Sequence, residues 1–125
     1  MAEFNLYFGW SWILIGLLAG AWVGVFFYDR DWLGGCSAWP RRMVRLGHVS
    51  LVGTGLLNLG FVFSVTHLGM TPIPRAASLL FVVGGVTMPL VCFLAAWRDG
   101  FRHWSFVPVA ALVLASADVL IRMLP

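Results

Sequence analysis

Two histidines and two arginines have the residue types that a redox cofactor requires. His48 ends the run RLGH at 45–48, and His103 follows directly after Arg102. A b-type haem between helices needs two imidazoles at similar depth and cations for its propionates. The pattern predicts a candidate site in which His48 and His103 bind a b-type haem or a quinone. Arg45 and Arg102 would contact the propionates or a lipid headgroup.

The same residues also have a purely structural interpretation. A histidine within a membrane helix commonly forms a hydrogen bond inside the packed protein, and arginines at helix ends commonly meet lipid headgroups. On this interpretation His48 is a packing residue and His103 lies at headgroup level. We favour it, so no resident cofactor is expected and haem or quinone is the alternative. No metal site is predicted, because His48 and His67 lie about 28 Å apart along one helix.

The sequence lacks the motifs of stand-alone membrane enzymes. Cys36 and Cys92 are too far apart in the chain to form a C-x-x-C pair. H-E-x-x-H, G-x-S-x-G and Walker motifs are also missing. No acid lies between Phe8 and Tyr28, where a small proton-driven exporter needs a carboxylate. We predict that the chain is not an enzyme on its own, although a non-catalytic subunit of an oxidoreductase complex fits.

The composition is that of a membrane protein. Of 125 residues, 61% are hydrophobic and 10% are charged, and the mean hydropathy is +0.92. Soluble domains carry about 25% charged residues, and a helix needs about 20 apolar residues to cross a bilayer. Four stretches meet this requirement: Phe8–Tyr28, Met43–Thr66, Ala77–Trp97 and Ser105–Leu124. We predict an all-α integral membrane protein, a four-transmembrane-helix up-down bundle in which residues 1–125 form one domain.

The arginines predict the orientation of this bundle. Two of them, Arg75 and Arg122, lie on one side of the four spans. The other six lie in loops one and three or beside them: Arg30, Arg41, Arg42, Arg45, Arg98 and Arg102. By the positive-inside rule these loops face the cytoplasm, and both termini face the periplasm across a bacterial inner membrane. The expected partners of the arginines are phospholipids, including anionic lipids at the cytoplasmic face, and no nucleic acid.

Tryptophans flank the spans at both ends. Indole rings favour the boundary between lipid and water, since they combine an apolar body with a hydrogen-bond donor. Trp10 and Trp12 are therefore expected at the outer interface. Four others are expected at the inner one: Trp32, Trp39, Trp97 and Trp104.

Glycines predict where the helices touch, because helices in lipid associate through close backbone contact. Gly16, Gly20 and Gly24 form a G-x-x-x-G-x-x-x-G ladder on the first span. The second span offers three more glycines: Gly53, Gly55 and Gly60. We expect the first two helices to pack along these residues.

Proline and polar residues predict further contacts within the bundle. Pro89 removes the hydrogen bond to the carbonyl of Gly85, and Asn58 on the second span is the expected donor to that free carbonyl. Asp118 and Arg122 are four residues apart on the last span, which favours a local ion pair.

These features together favour a structural role. The loops are short and the polar content is too sparse for a transport path. We predict a small accessory subunit of a larger inner-membrane complex that packs against other integral membrane subunits. By analogy the host is a bioenergetic, respiratory or photosynthetic electron-transfer assembly. The alternative is a b-type haem- or quinone-binding anchor using His48 and His103, and a small transporter or channel is least favoured.

Overall fold

The computed structural model describes residues 1–124, and about 85% of the chain is helical. The four long helices are α1 (Ala2–Phe26), α2 (Trp39–His67), α3 (Arg75–Trp97) and α4 (Phe106–Met123). Two 3₁₀ segments, Trp32–Gly34 and Asp99–Ser105, precede α2 and α4. All four helices are long and apolar enough to cross a membrane. The prediction of an all-helical chain with four membrane-length helices is confirmed.

The first three helices begin before their apolar runs. α1 begins at Ala2 and not at Phe8, and α2 begins at Trp39 and not at Met43. Hydropathy marks only the part of a helix at hydrocarbon depth, whereas a helix also satisfies its backbone hydrogen bonds beyond it. The early start of α1 brings Asn5 into the packed helix face. The first turn of α2 contains Pro40, which tolerates that place because its missing N–H would have no partner there.

Large apolar side chains point outward and polar ones point inward. Trp22 and Leu18 on α1 are 70% and 63% exposed. Asn5, Asn58 and Ser78 are fully buried. A water-soluble fold shows the opposite arrangement. In a bilayer this one is stable, because lipid solvates leucine and tryptophan while the interior satisfies the amides.

The helices pack in chain order as antiparallel neighbours. α1 packs mainly on α2, α2 on α3, and α3 on α4. Within residues 1–124, α1 and α4 form no substantial interface. The three later helices meet in one cluster, made of Phe61, Val65, Ala77, Phe81, Ala115 and Val119. The result is an open arrangement with α2 and α3 at its centre.

The close contact between α1 and α2 lies nearer the N-terminus than the glycine ladder predicts. A methyl group on Gly9 would lie 2.9 Å from the carbonyl oxygen of Gly55. On Gly16 it would meet Val52 Cγ2 at 2.6 Å. The antiparallel register therefore pairs the glycines from Gly9 onward with α2.

Three of the six expected glycines stay outside this contact. A methyl group on Gly24 or Gly53 would meet no atom within 4 Å; Gly24 lies in the last turn of α1, and Gly53 lies on the groove face of α2. Gly60 has the same open surroundings. Gly20 does take part, since its face is covered by the imidazole of His48.

Adjacent glycines give α3 two close contacts on different sides. A methyl group on Gly85 would lie 2.8 Å from the Phe8 ring on α1, and one on Gly84 would lie 2.5 Å from Leu112 on α4. A larger residue at either position would have to displace the Phe8 ring or the Leu112 side chain. The pair therefore lets these two side chains pack directly on the backbone of α3.

We predict that Gly9→Ala destabilises the fold by about 1–3 kcal/mol, a typical cost of overpacking. The new methyl group would press on the Gly55 carbonyl, which cannot move without shifting α2. The measurement is the free energy of unfolding by sodium dodecyl sulfate in mixed micelles. Gly24→Ala is the matched control and should leave this free energy unchanged or slightly higher. Equal losses in the two variants would contradict the assigned contact.

Candidate functional site

A buried amide cluster joins the first three helices. Asn5 Nδ2 donates to Asn58 Oδ1 at 2.8 Å and to the Ser78 carbonyl at 3.1 Å. The hydroxyl of Ser78 donates back to Asn5 Oδ1. Asn58 Nδ2 donates to the carbonyl oxygens of Thr54 and Phe81, at 2.9 and 3.2 Å. Each amide in the cluster is satisfied, so the cluster cross-links α1, α2 and α3.

Asn5 was not predicted as a packing residue, because the first predicted span begins only at Phe8. A signal for it exists in the spacing: Asn5 lies one turn before Gly9, and Gly16 lies two turns after Gly9. On an apolar membrane helix, a stripe of small and polar residues marks the packed face. That stripe starts at Asn5.

Trp12 is the donor to the carbonyl that Pro89 leaves free. Its Nε1 donates to the Gly85 oxygen at 2.8 Å, and its ring stacks on Phe8 at a centroid distance of 4.3 Å. The expectation that Asn58 fills this role is wrong. Its amide nitrogen donates to the carbonyl of Phe81, one turn before Gly85 on α3, and to the carbonyl of Thr54 on its own helix. Trp12 is accordingly an internal residue between α1 and α3 and not part of an outer belt.

Arg41 holds the end of α1 and the loop that follows. Its guanidinium donates to the carbonyl oxygens of Phe27, Asp29 and Arg30 at 3.0–3.1 Å and lies 4.6 Å from the centre of the Phe27 ring. Only 3% of Arg41 is exposed. Helix C-termini present free carbonyls and partial negative charge, which a buried cation satisfies. Arg41 is therefore a capping residue as well as a charge in loop one.

Trp39 makes the corresponding contact at the end of α3. Its Nε1 donates to the Ala95 carbonyl at 2.9 Å. That carbonyl lies in the last turn of α3, where no following amide reaches it. The first residue of α2 thus ties the end of α3 at the side of the bundle that carries loops one and three.

The predicted cofactor residues lie in different surroundings. His48 is half-buried and packs on Gly20 of α1, whereas His103 is exposed in the 3₁₀ segment before α4. Arg45 is exposed and its guanidinium lies 5.6 Å from the centre of the Phe27 ring. Residues 1–124 contain no group of three or more histidines, cysteines or acids that would hold a metal ion. The haem or quinone site stays a prediction.

Asp118 and Arg122 form an ion pair on α4. Arg122 Nε donates to Asp118 Oδ1 at 3.0 Å, while Asp118 Oδ2 is buried without a hydrogen-bond partner in the described chain. His67 at the end of α2 is exposed and stacks on Phe63, with ring centroids 5.3 Å apart. The ion-pair partner of Asp118 is therefore Arg122 on the same helix.

An apolar groove lies between α2 and α4, with α3 as its floor. Its larger part has a volume of about 500 Å³ and its lining includes Gly53, Leu57, Cys92 and Leu112. A smaller, more enclosed part of about 240 Å³ continues to the end that carries loops one and three, and Arg102 lies there. We call the two parts together the α2/α4 groove.

Comparisons with protein families, with curated proteins and with solved structures find no match to this chain. Its function must therefore be argued from its own residues and geometry.

We predict that Trp12→Phe destabilises the protein by about 1–2 kcal/mol, because the Gly85 carbonyl loses its donor while the ring stack on Phe8 persists. In a Pro89→Ala background the amide of residue 89 supplies a donor, and the loss should fall below about 0.5 kcal/mol. Unfolding in mixed micelles measures all four proteins of the cycle. Trp10→Phe, at a position 61% exposed, is the control. A loss of the same size in both backgrounds would refute the role of Trp12 as a donor.

We predict that Arg41→Gln loosens loop one, since several carbonyls after α1 lose a charged donor. Hydrogen exchange of the amides in residues 27–38 should accelerate about tenfold or more, which corresponds to roughly 1.4 kcal/mol or more. The adjacent Arg42→Gln removes an exposed guanidinium and should leave exchange unchanged. Indistinguishable exchange in the two variants would show that Arg41 does not hold the loop.

Proposed function

We propose that this protein is a small accessory subunit that packs within a larger membrane complex. The observation that carries the proposal is that the buried polar side chains are occupied by hydrogen bonds within the chain. The four buried uncharged polar side chains, Asn5, Thr54, Asn58 and Ser78, all form hydrogen bonds inside the chain. Asn5, Asn58 and Ser78 join helices and Thr54 bonds within α2, so none of the four offers a free polar group to a substrate and the outer surface is left for contact with other molecules.

The outer surface offers places for another helix. Gly60 is exposed on α2, where an added methyl group would meet no atom within 4 Å, and Ser64 lies one turn further on the same face. Ser64 already donates to the Gly60 carbonyl at 2.9 Å, so its hydroxyl is satisfied within α2 and the face carries only small side chains at these two positions. Small residues let a second helix approach closely in lipid, where apolar area alone gives no attraction. The open order of the helices leaves this face uncovered.

The proposed location is a bacterial inner membrane, with loops one and three in the cytoplasm and both termini in the periplasm. The excess of arginines in those loops supports this orientation. The proposed host is a respiratory or photosynthetic electron-transfer complex, by analogy with the compact helical subunits that such complexes carry. In this role the chain is a non-catalytic component.

The decisive experiment is purification of a tagged chain in mild detergent, followed by native electrophoresis and mass spectrometry of the recovered assembly. We expect integral membrane partners in fixed ratio. Gly60→Leu should lower partner recovery severalfold while the isolated chain remains folded, because a Cβ at this exposed position meets no atom within 4 Å. Gly24→Leu, at another open glycine, is the control. Recovery of a stable monomer without partners would overturn the proposal.

A further inference from the structure

The shape of the α2/α4 groove follows from how α4 is held. At one end, Ala115 and Val119 belong to the same buried cluster as Phe61 and Val65 of α2. Toward loops one and three the two helices leave a space, and Leu112 is the α4 residue that lines its larger part. No side-chain hydrogen bond in residues 1–124 joins α4 to another helix. Helix α4 is thus held by packing alone, mainly against α3.

The groove has the length and lining of a site for a hydrocarbon chain. Along α2 it runs from Trp39 to Leu57, about 27 Å at 1.5 Å per residue. Its walls are almost wholly apolar, and its larger part falls within the roughly 300–1,000 Å³ of ligand-sized sites. It opens sideways, toward the lipid that surrounds the bundle. A chain that enters it from the bilayer therefore never crosses water.

The mouth of the groove is positively charged. Arg102 and Ser105 line it from the segment before α4, and Trp39 lines it from α2. Arg42 lies three residues after Trp39 and four before Leu46, which also lines the groove, so it shares their helix face. Among residues 1–124 the one ion pair is that of Arg122. Arg102 therefore lines the mouth, the helix spacing places Arg42 on the groove side of α2, and neither arginine forms an ion pair in the described residues.

We propose that the α2/α4 groove binds an anionic phospholipid, with one acyl chain along α2 and the phosphate against Arg42 and Arg102. Hydrocarbon gains little when it moves from lipid into an apolar groove, since both surroundings are equally apolar. Selection must then come from the headgroup, where arginines favour anionic lipids. A neutral quinone would leave both guanidinium groups without a counter-charge. This inference concerns the isolated chain and does not depend on the proposed host complex.

The test uses the purified full chain in neutral detergent micelles with a trace of phosphatidylglycerol that carries a diazirine in its acyl chain. After illumination, peptide mass spectrometry locates the label. We expect the label on the groove walls, at Met88, Cys92 and Leu112. Unlabelled phosphatidylglycerol should compete at least about fivefold better than phosphatidylcholine. Label spread evenly over the outward faces of the helices, or equal competition by the two lipids, would overturn the proposal.

Matched variants separate the two ends of the site. Gly53→Phe fills the groove without meeting any atom within 4 Å of its Cβ, and should abolish groove labelling. Gly60→Phe, at an equally open position outside the groove, should retain it. At the mouth, Arg102→Gln and Arg42→Gln should each lower the preference for phosphatidylglycerol about fivefold. Arg75→Gln, at the other end of the bundle, should not.

Competing occupants give distinct results. Displacement of the label by a long-chain quinone, with no response to phosphatidylglycerol, would assign the groove to a neutral ligand and overturn the lipid proposal. Unchanged labelling in Gly53→Phe would show that the label lies elsewhere. Loss of partners in Gly60→Leu together with intact groove labelling would support both proposals, because the two readouts concern different faces of α2.

Discussion

The fold depends on one constraint: within a bilayer, a backbone carbonyl that lacks its helical partner must find a donor in the protein. Three side chains meet this need at three breaks in the helical hydrogen bonding. Trp12 donates to the carbonyl freed by Pro89, Trp39 to a carbonyl at the end of α3, and Arg41 to the carbonyls after α1. Each donor comes from a different segment than its acceptor, so satisfying the backbone also joins the helices.

This constraint explains why the four helices are not equally held. Helices α1, α2 and α3 share the amide cluster of Asn5, Asn58 and Ser78 in addition to close glycine contacts. Helix α4 packs through small and apolar residues such as Ala111 and Ala115. Packing in lipid relies on close fit, which falls off quickly with distance. The groove therefore lies beside the one helix that hydrogen bonds in the described chain do not fix.

The number and type of elements were predictable from the sequence, whereas the partners of individual residues were only partly so. Four apolar runs give four helices because hydrophobic length is a property of each segment alone. Which residue donates to the Gly85 carbonyl depends on the register between α1 and α3, and no local sequence pattern encodes that register. Asn58 was a reasonable candidate by depth, yet the early start of α1 brought Asn5 to it and Trp12 to Gly85. An error of a few residues in the start of one helix thus changes its contacts.

The arginines show how one residue type serves several purposes in a single chain. The positive-inside rule counts all of them alike, but their surroundings differ. Arg41 is buried and its two terminal nitrogens donate to carbonyls, whereas Arg122 is paired with Asp118. Arg42 directly follows Arg41 in sequence, yet a rotation of about 100° along the helix places it away from the α1 cap, on the side of α2 that carries Trp39 and Leu46. The same local density of charge that orients the chain therefore also leaves cations in place for a lipid phosphate.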